Sequence, residues 1–325
     1  MNIKVICSIR NAKIPKSIDD FSFQGFQVFL YEQKEFSKFI TDRLRKDAGD
    51  INLKEFIDAP YFSCFMEVKD EAELIRLSNQ ALSVLSNLST LLWFAKDCSV
   101  DLGYMYFFNE EACLCRLRMT VVSNSSGEYK EIELTKEDLQ IAANVFNIIK
   151  QKGGVLHQKE VKQIINKNKP TITDSSYHYS NYNEHNRIIR ALSFLNIARS
   201  NSFMPFKIAL YIAVFECLFN TSPSEITYKI AQRAALYIGG DSETKLKNFE
   251  IVEGAYDTRS KFFHGQKLDN TKQSKDTLSN ESKSVDDLLR QILTKIIFED
   301  YDLFAKNDDN DKELVKYLKG MMFNK

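Results

Sequence analysis

Residues Tyr256–Gly265 read Y-D-T-R-S-K-F-F-H-G. They set a guanidinium, Arg259, and an imidazole, His264, five residues apart at the end of a predicted helix, with a glycine closing it. Two readings compete. In one, His264 and Gly265 only finish the helix: a cation in the last turn offsets the negative end of the macrodipole, and Gly takes the left-handed conformation that follows many helices. In the other, Arg259 and His264 are a catalytic pair for phosphodiester cleavage, with Arg neutralising phosphate charge and His moving a proton. Spacing alone does not choose between them, so the neighbouring residues must.

Working outward, Leu246, Phe249, Val252, Tyr256, Arg259 and Phe263 step by three and four along this helix. Arg259 is therefore expected to stand on the buried stripe, where a hydrophobe belongs. Five residues advance a regular helix by about 140° net, which puts His264 nearer Tyr256 and Ser260 than Arg259. A frayed last turn at Gly265 would let the two side chains converge. Upstream, Phe206–Phe219 is apolar almost all round except for Glu216, and is predicted to be the central helix. A carboxylate there needs a cation. Arg259 is one candidate, and Arg233, flanked by Ile230 and Tyr237, is the other. Glu216, Arg233 and Arg259 are thus expected to form a buried ionic cluster joining three helices, an arrangement that can serve packing alone.

From Arg187 onward the pattern predicts helices over 187–201, 205–220, 224–238, 243–264, 284–306 and 310–322. Ser202 with Pro205 is a start signal, and Asn220 and Gly239-Gly240 are stops. The stretch 267–283, KLDNTKQSKDTLSNESK, is polar and is predicted to be a mobile loop directly after His264.

The first half mixes strand and helix signals and is read as an α+β domain. Strands are expected over 3–9, 27–31, 62–68, 103–108 and 113–122. Leu74, Leu77, Leu82, Leu85, Leu88 and Leu92 mark a long helix over 70–96, with Trp93 as a core residue, and 137–151 reads as another helix. S-N-S-S-G, Ser123–Gly127, is a turn, since it lacks the glycines and the Lys-Ser/Thr ending of a P-loop. Cys113 and Cys115 share one face of a strand and read as buried thiols. Residues 166–186 read as a linker or exposed loop. His178 and His185 there suggest a metal, and Tyr177, Tyr179 and Tyr182 suggest base stacking, but a solvated loop is the commoner explanation. The expected organisation is an α+β domain over 1–165, the linker over 166–186 and a helical bundle over 187–325.

Lys+Arg and Asp+Glu both total 44 among the 325 residues, so the chain is neutral, which argues against coating long stretches of nucleic acid. One cleft holding a few nucleotides is not excluded. No apolar run reaches the roughly 18 residues of a membrane span. The N-terminus lacks a secretory pattern, and the six cysteines form no C-x2-C pair. A cytoplasmic protein with reduced thiols and no membrane partner is expected.

The order E-C-L-F (Glu216–Phe219), R-A-A-L (Arg233–Leu236) and Y-D-x-R-S-x-x-x-H-G (Tyr256–Gly265) resembles the HEPN superfamily, most closely its Apea-like branch, over roughly residues 190–306. The resemblance implies a helical bundle that forms a homodimer, bringing the R-x4-6-H helices of two protomers into one composite ribonuclease site that needs no metal or other cofactor. Arg259 and His264 would be catalytic, with Tyr256, Asp257, Thr258, Ser260, Glu216 and Arg233 supporting them. RNA would be cleaved by 2′-hydroxyl attack, leaving a 2′,3′-cyclic phosphate. The biology implied is a toxin or antiviral defence effector, with an antitoxin or sensor as further partner and the first domain as a gate. The alternative is a non-catalytic HEPN module for dimerisation or for binding a nucleic acid or protein partner.

Overall fold

The computed structural model describes residues 1–15, 22–23, 26–30, 40–57, 59–117, 121–152, 185–221, 226–305 and 312–323. The first half is built on an antiparallel six-stranded sheet. In chain order its strands are β1 (Asn2–Arg10), β3 (Ser22–Phe23), β4 (Phe26–Leu30), β5 (Pro60–Glu67), β6 (Asp101–Phe108) and β7 (Cys113–Leu117), arranged β3-β4-β5-β1-β6-β7. A separate two-residue parallel bridge joins β2 (Ala12–Lys13) to β8 (Ile132–Glu133).

β1 is central, and its alternation feeds two cores, because successive side chains of a strand point to opposite faces. Ile3, Val5, Cys7 and Ile9 join the large core beneath α2 (Glu71–Ala95) and α3 (Lys136–Gln151). Ile6 joins a smaller core with Leu44, Leu53 and Phe56, contributed by α1 (Asp42–Leu53) and the 3-10 turn Lys54–Phe56 on the other face. Both long helices start where their caps dictate. Asp70 accepts from the Glu73 N–H, and Thr135 with Asp138 forms a capping box.

The second half is helical: α4 (Arg187–Arg199), α5 (Met204–Phe219), α6 (Ile226–Ile238), α7 (Ser242–Phe263), α8 (Lys275–Phe298), α9 (Tyr301–Phe304) and α10 (Lys312–Gly320). α5 is central, as expected, and packs against α4, α6, α7 and α8. The sheet-side helices and the bundle share one continuous hydrophobic core, so the two halves are not joined by a linker alone. Residues 166–184 of the expected linker, with His178 and the three tyrosines, lie outside the described residues, while Asn186 at its end caps α4 by accepting from the Ile189 N–H. No described helix is long and apolar enough to cross a membrane.

Three expectations are corrected. The loop after His264 is shorter than 267–283, because α8 begins at Lys275. Ser274 caps its first turn, and Leu278 and Ser282, buried against the rest of the fold, anchor a stretch that otherwise looks solvated. β7 is described over Cys113–Leu117, and Val121 and Val122 of the expected strand lie outside it. Cys115 is exposed and Cys113 only half-buried, because β7 is an edge strand. The residue pattern does not predict α1, which carries Gly49 at φ +75° inside it.

Candidate functional site

α7 presents the motif. Its N-terminus is fixed by Asp241, which accepts from the Thr244 N–H. Its C-terminus is a Schellman cap: the Gly265 N–H donates to the Phe262 carbonyl at 3.1 Å and the Gln266 N–H to the Lys261 carbonyl at 2.9 Å. Gly265 takes φ +66°, a conformation that costs a Cβ-bearing residue energy. The helix does not fray. The His264 N–H still donates to the Ser260 carbonyl at 3.1 Å, and the exposed imidazole sits at the C-cap. Within one chain, then, Arg259 and His264 stay on different sides of a regular helix.

The buried stripe of α7 shares only Val252 with the expected one. Val252, Ala255 and Thr258 face the core. The stripe carrying Arg259 is a flank, with Leu246 58% and Phe263 53% exposed and Phe249 and Tyr256 half-buried. Arg259 stands on this apolar flank at the protein surface, its side chain 29% exposed.

The surroundings of Arg259 are mostly aromatic. Its guanidinium lies 5.3 Å from the ring centroids of both Tyr256 and Phe263. Glu216 on α5 reaches it at 3.4 Å and accepts a 2.8 Å hydrogen bond from the Tyr256 hydroxyl. Burial, then the Glu216 carboxylate, raise the Tyr256 phenol above its ordinary pKa and keep it a donor. The Arg259 Nε has no hydrogen-bond partner among the described residues.

Arg233 does not join this group. It is buried on α6 and donates to the Phe219 carbonyl and, at 3.0 Å, to the Thr221 hydroxyl, closing the C-terminus of α5. The expected three-way ionic cluster is thus a Glu216–Arg259–Tyr256 group, with Arg233 acting as a separate helix-end brace. Burial lowers the pKa of Arg233, but its carbonyl partner suits the cation.

The remaining neighbours divide. Thr258 is fully buried and donates to Glu281 of α8 at 2.9 Å, while Lys272 reaches the Gly254 carbonyl at 2.7 Å and Glu281 at 3.2 Å. Asp257 pairs with Lys261 at 3.0 Å, and Lys261 with Asp269 at 2.6 Å. These contacts tie the loop after His264 to α7 and α8 and do not touch Arg259. Ser260 offers His264 its backbone carbonyl.

A second polar group went unread in the sequence. Lys207 on α5 is fully buried, and its ammonium reaches Ser123 Oγ at 3.0 Å and the carbonyls of Ala198 and Asn201 at 3.1 and 3.2 Å. Burial and the nearby Arg199 push it down to about 7. Arg199, also buried, donates to the carbonyls of Ser89 and Cys98 at 3.1 and 3.2 Å. Asp286 on α8 accepts from Trp93 Nε1 at 2.8 Å and from Arg290 at 2.9 Å, while its burial raises its carboxyl pKa. The rule that flagged Glu216, a charge inside an apolar helix, also applies to Lys207 between Phe206 and Ile208.

Among the described residues no group of three or more His, Cys, Asp or Glu is placed to hold a metal ion. No family model, curated protein or solved structure matches the chain.

Proposed function

We propose that the protein is a metal-independent endoribonuclease of the HEPN type, acting as a dimer. The observation that carries this reading is Arg259 on a half-exposed apolar flank, held by two rings and one carboxylate, five residues before an exposed and rigidly capped His264. A second copy covering Leu246, Phe249, Tyr256 and Phe263 would bury apolar surface and set its own Arg259 and His264 opposite the first pair. One chain alone keeps Arg259 and His264 apart, and a facing copy removes that obstacle.

In the reaction, the RNA 2′-oxygen forms a bond to the adjacent phosphorus while the bond from phosphorus to the 5′-oxygen breaks. Arg259 balances the charge gathering on the phosphoryl oxygens, and imidazole can take the 2′-hydroxyl proton and supply one to the departing 5′-oxygen. The products are a 2′,3′-cyclic phosphate and a 5′-hydroxyl. Glu216 and Tyr256 position the guanidinium.

The test is cleavage of RNA in EDTA by the purified full chain. Arg259→Ala and His264→Ala are expected to lower the rate at least a hundredfold while remaining folded and dimeric. Cleavage that survives both substitutions would sink the reading.

A non-catalytic docking module is favoured by one specific observation, the pairing of Arg259 with Glu216 inside the chain. Under that reading wild type cleaves no RNA, and Arg259→Ala breaks the dimer.

A further inference from the structure

A groove of about 1020 Å³ opens between the 123–127 turn, the start of α5 and the loop that follows His264. This sits at the upper end of the roughly 300–1,000 Å³ of ligand pockets. Four lysines, Lys261, Lys267, Lys272 and Lys275, lie between the last turn of the motif helix and the first residue of α8. Lys261 and Lys272 are neutralised by Asp257, Asp269 and Glu281. Lys267 and Lys275 line the groove and have no ion-pair partner among the described residues, and no carboxylate lines it.

Three further features converge there. α5 starts at Phe203 without a side-chain cap, so the Met204 and Phe206 N–H groups of its first turn, where Pro205 carries none, have no side-chain acceptor. Ser126 lines the groove and is only 6% exposed, yet its hydroxyl has no hydrogen-bond partner among the described residues. Buried hydroxyls are nearly always partnered, so an orphan on a cavity wall points to an absent acceptor. Gly127 lets the turn come this close, since a Cβ there would meet Met204 Cε at 2.6 Å. Finally, Phe203 is 59% exposed on the same wall, and its ring packs 5.7 Å from Phe262, two residues before His264.

We propose that this groove binds the backbone of single-stranded RNA beside the cleavage site, one phosphodiester meeting Lys267, Lys275, the α5 N-terminus and Ser126, and the adjoining base stacking on Phe203. Two cations, free donors and an exposed ring in a lining without carboxylates are what a single strand requires. The proposal deepens the ribonuclease reading and rests on it for the choice of RNA. It also fits a neutral chain, since it asks for only two unpaired lysines.

The experiment is fluorescence anisotropy of the full chain with a short labelled 2′-O-methyl oligouridylate, which lacks the attacking hydroxyl. Wild type is expected to bind. Lys267→Ala with Lys275→Ala should weaken binding about tenfold and reduce the log–log salt slope by about 0.7, the value for one neutralised single-strand phosphate. Phe203→Ala should weaken it by about tenfold through lost stacking. Ser126→Ala should show a smaller loss, with all variants keeping the wild-type circular dichroism.

No binding by wild type, or lysine variants that bind like wild type, would overturn the groove. Competition by inorganic phosphate as effective as unlabelled oligonucleotide would make it a free-anion site and overturn the RNA assignment. Lysine-dependent binding without cleavage of ordinary RNA would fail the ribonuclease reading and leave the groove standing. Cleavage that ignores the lysines would do the reverse.

Discussion

The joint between the sheet-side helices and the bundle, and the rim of α7, both carry charge on apolar helices but treat it differently. At the joint, Lys207, Arg199 and Asp286 are buried and reach across the segments around them, to carbonyls and a hydroxyl in one case and to an indole and a guanidinium in another. No solute can approach them. At the rim, Arg259 touches two rings and one carboxylate, and His264 is exposed. The joint's charges hold elements together, whereas the rim's charges are available to a molecule that arrives from outside. The same residue type, arginine, stands on both sides of that division, so exposure and partner type separate the roles where identity does not.

The largest expected difference comes from Asp286→Ala. It leaves the Trp93 indole without its acceptor and Arg290 with only the exposed Asp287, and breaking a buried charged pair costs up to about 3–5 kcal/mol. Arg259→Ala, at a partly solvated pair, should cost less than about 1 kcal/mol. Urea unfolding followed by far-ultraviolet circular dichroism measures both, and equal losses would erase the distinction.

The second difference is in pH dependence. Lys207 is lowered in the fold to about 7 from an ordinary 10.5. Between those values the unfolded chain binds a proton that the folded chain does not, so stability rises with pH, by at most about 1.4 kcal/mol per unit. The penalty is fully present below pH 7. Burial raises the thiols of Cys7 and Cys64, which act in the opposite sense above pH 9. Lys4, lowered by burial to about 8, adds a rise of the same sense above that pH, so the clean window is pH 7 to 8, where Lys207→Met should flatten the slope relative to wild type. An unchanged slope would show that the joint holds Lys207 charged throughout.

At the rim, Gly265→Ala should cost about 1 kcal/mol, because its φ of +66° is strained for alanine although nothing crowds the new methyl. Tyr256→Phe removes the bond to Glu216 and should cost about 0.5–1 kcal/mol. Thermal melts check both. A Tyr256→Phe loss as large as that of Asp286→Ala would turn the Arg259 group into a second joint.

Much of this arrangement is legible in residue order, and the gaps have physical causes. The leucines of α2, the alternation of β1 and the glycine after α7 are local signals, and each produced the expected element. α8 began earlier than expected because its first turns carry only Leu278 among polar residues, and one buried leucine with a Ser cap suffices when a neighbouring helix supplies the rest of the core. On α7, two three-four stripes run side by side. Hydrophobicity favoured the one with larger side chains, but the fold buries Val252, Ala255 and Thr258, whose small size permits close helix contact. The pairing of Glu216 with Arg259 could be anticipated because both interrupt apolar patterns. The diversion of Arg233 to a helix end could not, since backbone carbonyls at a C-terminus leave no mark in the residue pattern.

The single tryptophan gives the joint an intrinsic optical signal. Trp93 is enclosed, donates to Asp286 and lies 5.4 Å from the Arg290 guanidinium. With no second indole in the chain, its emission reports one place only. A shift in that emission on adding RNA would mean that α8, which carries Lys275 at one end and Asp286 in its middle, transmits occupancy at the rim into the interior without any added label.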